Sequence, residues 1–271
     1  MLRQRILTAI ALGVSLLVIV LWLPQSVALG VFALIVLVGA WEWSAFPRFN
    51  APVARFVYVL AVAVAMAMAY QATRDPASLE VLMLCALAWW AMAFLWVTLA
   101  PTRHSRATVI LAGLLVLVPA WVALADLYQW SDTERARGAQ RALFLLALVW
   151  AADIGAYFAG RAFGSLKLAP RVSPSKTWEG VLGGLALSAA VAFLGAHWFR
   201  ADRTAFVSLC LAVVLLSIVG DLTESMFKRY AGLKDSGSIF PGHGGVLDRI
   251  DSVTAAAPAF LLGLRWLDGA A

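Results

Sequence analysis

Nine long apolar runs constrain this chain more than anything else in it. They cover about residues 6–23, 27–46, 52–71, 79–100, 107–126, 141–160, 178–198, 204–222 and 251–268. Each reaches the roughly 18 residues that a helix needs to cross a bilayer. Lipid offers the backbone no hydrogen-bond partners, so a spanning segment is either a helix or part of a closed barrel. The alternating segments of roughly ten residues that mark a membrane barrel are absent. Composition agrees: 63% of the 271 residues are hydrophobic and 13% charged, where a soluble domain has about a quarter charged. Connections between runs are short, and no run clearly repeats another. The sequence predicts an all-α fold, a polytopic membrane bundle of about nine transmembrane helices in a single domain.

The net charge of +6 and pI near 9.7 raise the question of nucleic acid. Placement of the charges answers it. With the N-terminus in the cytoplasm, 14 of the 21 Lys and Arg fall on the cytoplasmic side and 7 on the other. That is the positive-inside bias, so the basic charge reports topology and no nucleic-acid partner is expected. The first run, led by Arg3 and Arg5, resembles a signal peptide. Its apolar core of about 18 residues exceeds the usual 7–15, so it reads as an uncleaved first helix. Cys85 and Cys210 lie in apolar runs and form neither a disulfide framework nor a metal site.

Ionisable groups inside the runs are costly, at roughly 2.5–3.5 kcal/mol each near a helix centre, and so they are informative. Glu42, between Trp41 and Trp43, reads as interfacial, as do Asp126 and His197. Asp153 sits well within the sixth run, two turns before Arg161. A structural contact and a polar cavity are equal readings of it. Asp221 and Glu224, three apart, share a helix face, with Lys228 four beyond Glu224. Asp248 and Asp251 repeat the spacing at the start of the last run, where acidic residues also suit a helix dipole. Hard oxygen ligands of this kind favour Mg²⁺.

Between these carboxylates lie Lys228, Arg229, Lys234, His243 and Arg249, with Gly237, Gly242, Gly244 and Gly245. Cations answer phosphates, and glycines let the backbone approach an anion. Metal carboxylates, cations and a flexible loop are together the equipment of phosphoryl or nucleotidyl transfer. In the sixth loop, "RVSPSKTWEG" places Ser173, Ser175 and Lys176 before a helix start. That segment reads as a capped helix or as an anion site.

The stretch "SMFKRYAGLKDSGSIFPGHGGVLDRID", Ser225 to Asp251, resembles the signature of the bacterial phosphatidate cytidylyltransferases, also known as CDP-diglyceride synthases. "DIGAYFAGRAFG" and "SPSKTWEG" are similar to further segments of that family, in the same order. The likeness is motif-rich from about 150 to 251, whereas the N-terminal half matches only in being hydrophobic. It implies transfer of CMP from CTP to phosphatidate, Mg²⁺ with a second cation at a dinuclear site, and membrane lipids as surroundings. It further implies a multi-pass protein of the bacterial inner membrane with its site on the cytoplasmic side, and a homodimer is compatible with it. Helices over about 6–126 would then serve as scaffold and lipid-facing part, and about 141–268 as the catalytic part. Asp221 and Asp248, then Asp251, are the expected metal ligands. Lys228, Arg229, Lys234, His243 and Arg249 would hold phosphate charge. Ser173, Ser175, Lys176, Gly244, Gly245, Asp153 and Arg161 would line the substrate site. Two rivals stand beside this reading. One is a cytidylyltransferase for another lipid phosphate, such as a polyprenyl phosphate. The other is an ion-coupled transporter, disfavoured because the polar groups gather at one edge and no pair of interrupted helices signals an inverted repeat.

Overall fold

A computed structural model describes residues 2–49, 51–130, 135–240, 242 and 244–269, and the side chains among them except those of residues 2–9, 135 and 136. Its helices follow the apolar runs: α1 (Leu2–Leu21), α2 (Gln25–Trp43), α3 (Pro52–Ala72), α4 (Pro76–Leu99), α5 (Arg106–Gln129), α6 (Arg135–Phe163), α7 (Trp178–Trp198), α8 (Arg203–Ala231) and α9 (Leu247–Gly269). Among the described residues, seven helices, α2 to α8, are long and apolar enough to cross a membrane. The outer helices show why the chain needs lipid. Along α3, Val53, Val57, Leu60 and Val64 form an exposed apolar stripe at helical spacing.

The last helix stands apart in the opposite way. From Ser252 to Leu262 every residue of α9 is buried. It packs against α2, α4, α5, α6 and α8. Protein surrounds it, so small residues such as Ala255, Ala256 and Ala257 serve where a lipid-facing helix would carry larger ones.

Short connections make successive helices antiparallel. The α2–α3, α4–α5, α6–α7 and α8–α9 connections therefore gather at one end. Contacts tie them there: Arg48 donates to the Tyr230 carbonyl at 2.7 Å, and His104 packs on Phe227 and Tyr230. Four helices among the described residues carry side-chain N-caps. Asp75, Ser105, Thr177 and Asp202 each accept a backbone N–H of the following turn, satisfying donors that the helix leaves open.

One element departs from the all-α expectation. After α6 the chain forms a two-stranded antiparallel hairpin, β1 (Lys167–Ala169) and β2 (Ser173–Thr177). Glu179 in the first turn of α7 pins it by accepting from the backbone N–H groups of Ser165 and Leu166, each at 3.1 Å, and from the Ser165 hydroxyl.

Candidate functional site

Four helix ends build the site: the C-termini of α6 and α8 and the N-termini of α7 and α9. The hydropathy of the eighth run stops near residue 222, yet α8 continues to Ala231. The added turns carry Glu224, Lys228 and Arg229. Gly232, at φ +77°, ends them in the left-handed conformation that glycine adopts freely.

Lys228 is the hub. Its Nζ lies 2.7 Å from Asp248 Oδ1 and 3.0 Å from Glu224 Oε1. The pair predicted between Glu224 and Lys228 is thus present, but it is buried, with the Glu224 side chain only 3% exposed. Among the described residues neither Glu224 oxygen has a well-directed hydrogen bond, so the 3.0 Å approach of Lys228 acts chiefly through charge. Asp248 is fully engaged. Its Oδ2 accepts from the backbone N–H of Ser236 at 2.9 Å and of Gly245 at 2.8 Å. One carboxylate therefore ties both ends of the loop between α8 and α9 to the first turn of α9.

A second carboxylate completes that lattice, and it comes from the far side of the sequence. Glu42, expected at the interface, is instead buried near the end of α2. It accepts from the Ser236 hydroxyl at 3.0 Å and from the backbone N–H groups of Val246 and Leu247 at 3.1 and 2.7 Å. It caps α9 from another helix, and its charge suits the positive end of the α9 dipole. Gly245 and Gly237 make room for it, because a Cβ at either position would run into the Glu42 carboxylate. No local pattern could have announced this role. The partners lie 194–205 residues further along the chain, and glutamate between two Trp is equally the mark of a membrane interface.

Beside the lattice opens a cavity of about 490 Å³ between α6, α7, α8 and β2. Asp153, Arg161, Ser175, Lys176 and Asp221 line its polar side, and Ala152, Ala156, Val181 and Ile218 its apolar side. Lys176 Nζ meets Asp221 Oδ2 at 2.5 Å. Arg161 donates to the Tyr157 hydroxyl at 2.8 Å. Of the two readings of Asp153, the structure gives the cavity: its carboxyl faces this space within electrostatic reach of Asp221, Lys176 and Arg249. Close helix contacts set the width. The glycines of α6 and α7 touch, and a Cβ on Gly184 would stand 2.8 Å from the Ala152 carbonyl oxygen. At the α8–α9 crossing a Cβ on Gly220 would stand 2.7 Å from the Asp251 carbonyl oxygen. Asp251 consequently comes within electrostatic reach of both Asp221 and Glu224.

The remaining candidates take up different places. Ser173 sits on β2, outside the cavity lining. Arg229 holds the Val172 and Leu233 carbonyls at 3.4 and 3.3 Å. Lys234 and Arg249 are exposed beside the loop. Gly244, at φ +79°, closes a small bridge by accepting from the Phe240 N–H at 3.0 Å. His243 lies outside the described residues.

Asp153, Asp221, Glu224, Asp248 and Asp251 thus face two lysines, Lys176 and Lys228. Arg161 in the cavity lining and Arg249, within electrostatic reach of Asp153, add to that positive charge. Among the described residues no three Asp, Glu, His or Cys side chains form a ready-made metal cage.

Known proteins resemble the chain over nearly its whole length. A family model described as "Cytidylyltransferase family" matches residues 3–267. The chain is 44% identical to a phosphatidate cytidylyltransferase of Pseudomonas aeruginosa, over 99% of this chain and 98% of that one. It is 41% identical to one from Haemophilus influenzae, over 96% and 97%. One from Brucella suis is 51% identical over 44% of this chain and 45% of its own.

Proposed function

The chain belongs to the cytidylyltransferase family, and on that footing we propose that it transfers CMP from CTP to phosphatidate, giving CDP-diacylglycerol and pyrophosphate. The observation that carries the proposal is the cavity itself. Its polar side brings Lys176, Arg161, Asp153 and Asp221 to the end of an apolar wall, which is the chemistry of a phosphate joined to acyl chains.

A phosphatidate oxygen attacks the α-phosphorus of CTP in line. A P–O bond forms there, the bond to the β-phosphate oxygen breaks, and pyrophosphate leaves. The attacking phosphate monoester is already ionised near neutral pH, so no general base is required. Both substrates are anionic and repel each other. Lys176, Arg161 and Arg249 answer the lipid phosphate and the nucleotide, while Lys228, Lys234 and Arg229 stand on the loop side for the pyrophosphate. Mg²⁺ belongs to the same proposal, with Asp221, Asp248 and Asp251 as its candidate ligands and room for a second cation. When bound it supplies charge neutralisation to the nucleotide phosphates. Asp221 is the more open candidate, since Asp248 already serves Lys228 and two backbone N–H groups. The site would lie on the cytoplasmic side of the bacterial inner membrane, where CTP is available.

The test is CDP-lipid formation by the purified chain from CTP and phosphatidate, with polyprenyl phosphate as competitor. Product from phosphatidate, undiminished by the competitor, supports the proposal. Preferential use of the polyprenyl phosphate would reassign the lipid substrate. Ion flux into liposomes without CTP-dependent product would turn the reading to transport.

A further inference from the structure

The inner part of the catalytic cavity carries polar groups that a lipid phosphate does not explain. Asp153 stands ten residues before the end of α6 at Phe163, about 15 Å along the helix. Ser217 lies one turn before Asp221 on α8, and Ser252 lies in the second turn of α9. All three line the cavity. Arg161, in the last turn of α6, and Lys176, near the end of β2, belong to its mouth.

A carboxylate within a spanning helix is costly and marks a function. Among the described residues Asp153 makes no hydrogen bond or ion pair and joins no cluster of three metal-ligating side chains. Ser217 and Ser252 are buried, at 2% and 6% exposure. Ser217 gives its proton to the Val214 carbonyl at 2.8 Å, so its oxygen is left to accept. The Ser252 backbone N–H goes to Asp251 Oδ1 at 2.7 Å, while its hydroxyl holds no hydrogen bond among the described residues and is able to donate. The inner cavity thus offers two acceptors and one donor.

The two substrates differ in what they can answer. The glycerol and ester groups of phosphatidate carry acceptors alone, which a carboxylate cannot satisfy. Cytosine carries an exocyclic amino group with two N–H bonds beside a ring nitrogen that accepts. On the footing of the CTP-dependent reading above, we propose that Asp153, with Ser217 and Ser252, reads the cytosine base. Asp153 and the Ser217 oxygen accept from the amino group, as carboxylates do from cytosine in nucleic acids, and Ser252 donates to the ring nitrogen. Ala156, Val181 and Ile218 in the same lining suit the flat faces of the ring. Uracil puts a carbonyl where cytosine has the amino group, so acceptor would face acceptor.

Kinetics of the full chain in detergent with phosphatidate test this. kcat/KM for CTP should exceed that for UTP by at least about a thousandfold. Asp153→Asn, whose amide donates to the uracil carbonyl as readily as its oxygen accepts from cytosine, should cut that ratio by about a hundredfold. Equal losses with both nucleotides, leaving the ratio unchanged, overturn the proposal. So does a preference for CTP over dCTP that vanishes in the variant, since Asp153 would then read the ribose. A second arm needs only the wild-type chain and no turnover: thermal melts with CTP or with 2-pyrimidinone ribonucleoside triphosphate, which lacks the amino group. The analogue should bind at least about tenfold more weakly, and equal binding overturns the proposal. Discrimination in the melts without any CDP-lipid product would sink the transferase reading and still support the base site.

Discussion

Glu42 and Lys228 are the two residues whose loss would be felt furthest from their own positions. Glu42→Ala leaves the Val246 and Leu247 N–H groups buried without acceptors, at about 1–3 kcal/mol each. Glu42→Gln keeps one acceptor oxygen and should lose less. The expected order in both Tm and CMP transfer is wild type, then Gln, then Ala, and equal melting of all three would remove Glu42 as the cap of α9. Lys228→Met strands Glu224 and Asp248 in a buried setting, where removing one partner of an ion pair costs about 3–5 kcal/mol. Adding Glu224→Gln to Lys228→Met should recover part of that loss, because one stranded charge is gone. A double variant no more stable than the single would deny the coupling. At the metal candidates, Asp221→Asn should cut turnover at least a hundredfold and raise the Mg²⁺ concentration needed for half activity. An unchanged Mg²⁺ dependence would free Asp221 from that role.

Element boundaries were legible wherever lipid set them, and illegible where protein did. Runs predicted at 52–71 and 178–198 became Pro52–Ala72 and Trp178–Trp198, since hydropathy reports what faces lipid. The eighth run ended nine residues early because the last turns of α8 are polar inside and meet α9 and β2 rather than lipid. The hairpin of β1 and β2 escaped for the same reason: its strands are too short for a pattern, and Glu179 holds it from the next helix, which Thr177 at the end of β2 caps. What Gly155 and Gly184 do is not announced by the local sequence, because small residues are common throughout membrane helices. Gly155→Val would press on the Gly183 carbonyl and part α6 from α7, an overpacking cost of about 1–3 kcal/mol. Asp153 rides on α6 and Lys176 on β2 just before α7, so CMP transfer should fall more steeply than Tm. A variant that melts early yet transfers normally would show that cavity width does not matter. The α4–α5 connection carries a pH effect of its own. Burial, against a weaker pull from the Pro101 carbonyl, holds the His104 imidazole below its ordinary range, and its Nδ1 has no hydrogen-bond partner among the described residues. The folded state therefore favours the neutral ring. Its contribution is complete above about pH 6.5 and is lost as pH falls through the depressed folded value. His104→Gln should flatten the fall of Tm between pH 7 and 5.5, and an unaltered slope would exclude His104 as its source.

At the scale of the whole molecule, α9 accounts for one of the two apolar runs that fall outside the seven candidate spanning helices among the described residues, the other being the run of α1. The acidic first turn of α9 and Arg265 and Asp268 near its end depress its hydropathy, while its middle is enclosed by five neighbours. Charge bias was readable across the entire chain because it depends only on which loops share a side. The structure gathers those same loops, with Glu42, Lys176, Lys228 and Asp248 among them, at one end. What the bias adds is an orientation, and this can be tested directly. Cys85 and Cys210 lie within α4 and α8, so both can be replaced by alanine to leave a chain without thiols. Arg171 at the hairpin turn and Arg74 between α3 and α4 are exposed and make no part of the site. A single cysteine at 171 should react with a membrane-impermeant maleimide only in inside-out vesicles, and one at 74 only in right-side-out vesicles. CTP enters from the cytoplasm, so the reverse pattern would put the lysines and carboxylates on the wrong side of the membrane for their nucleotide and overturn the proposed location of the site.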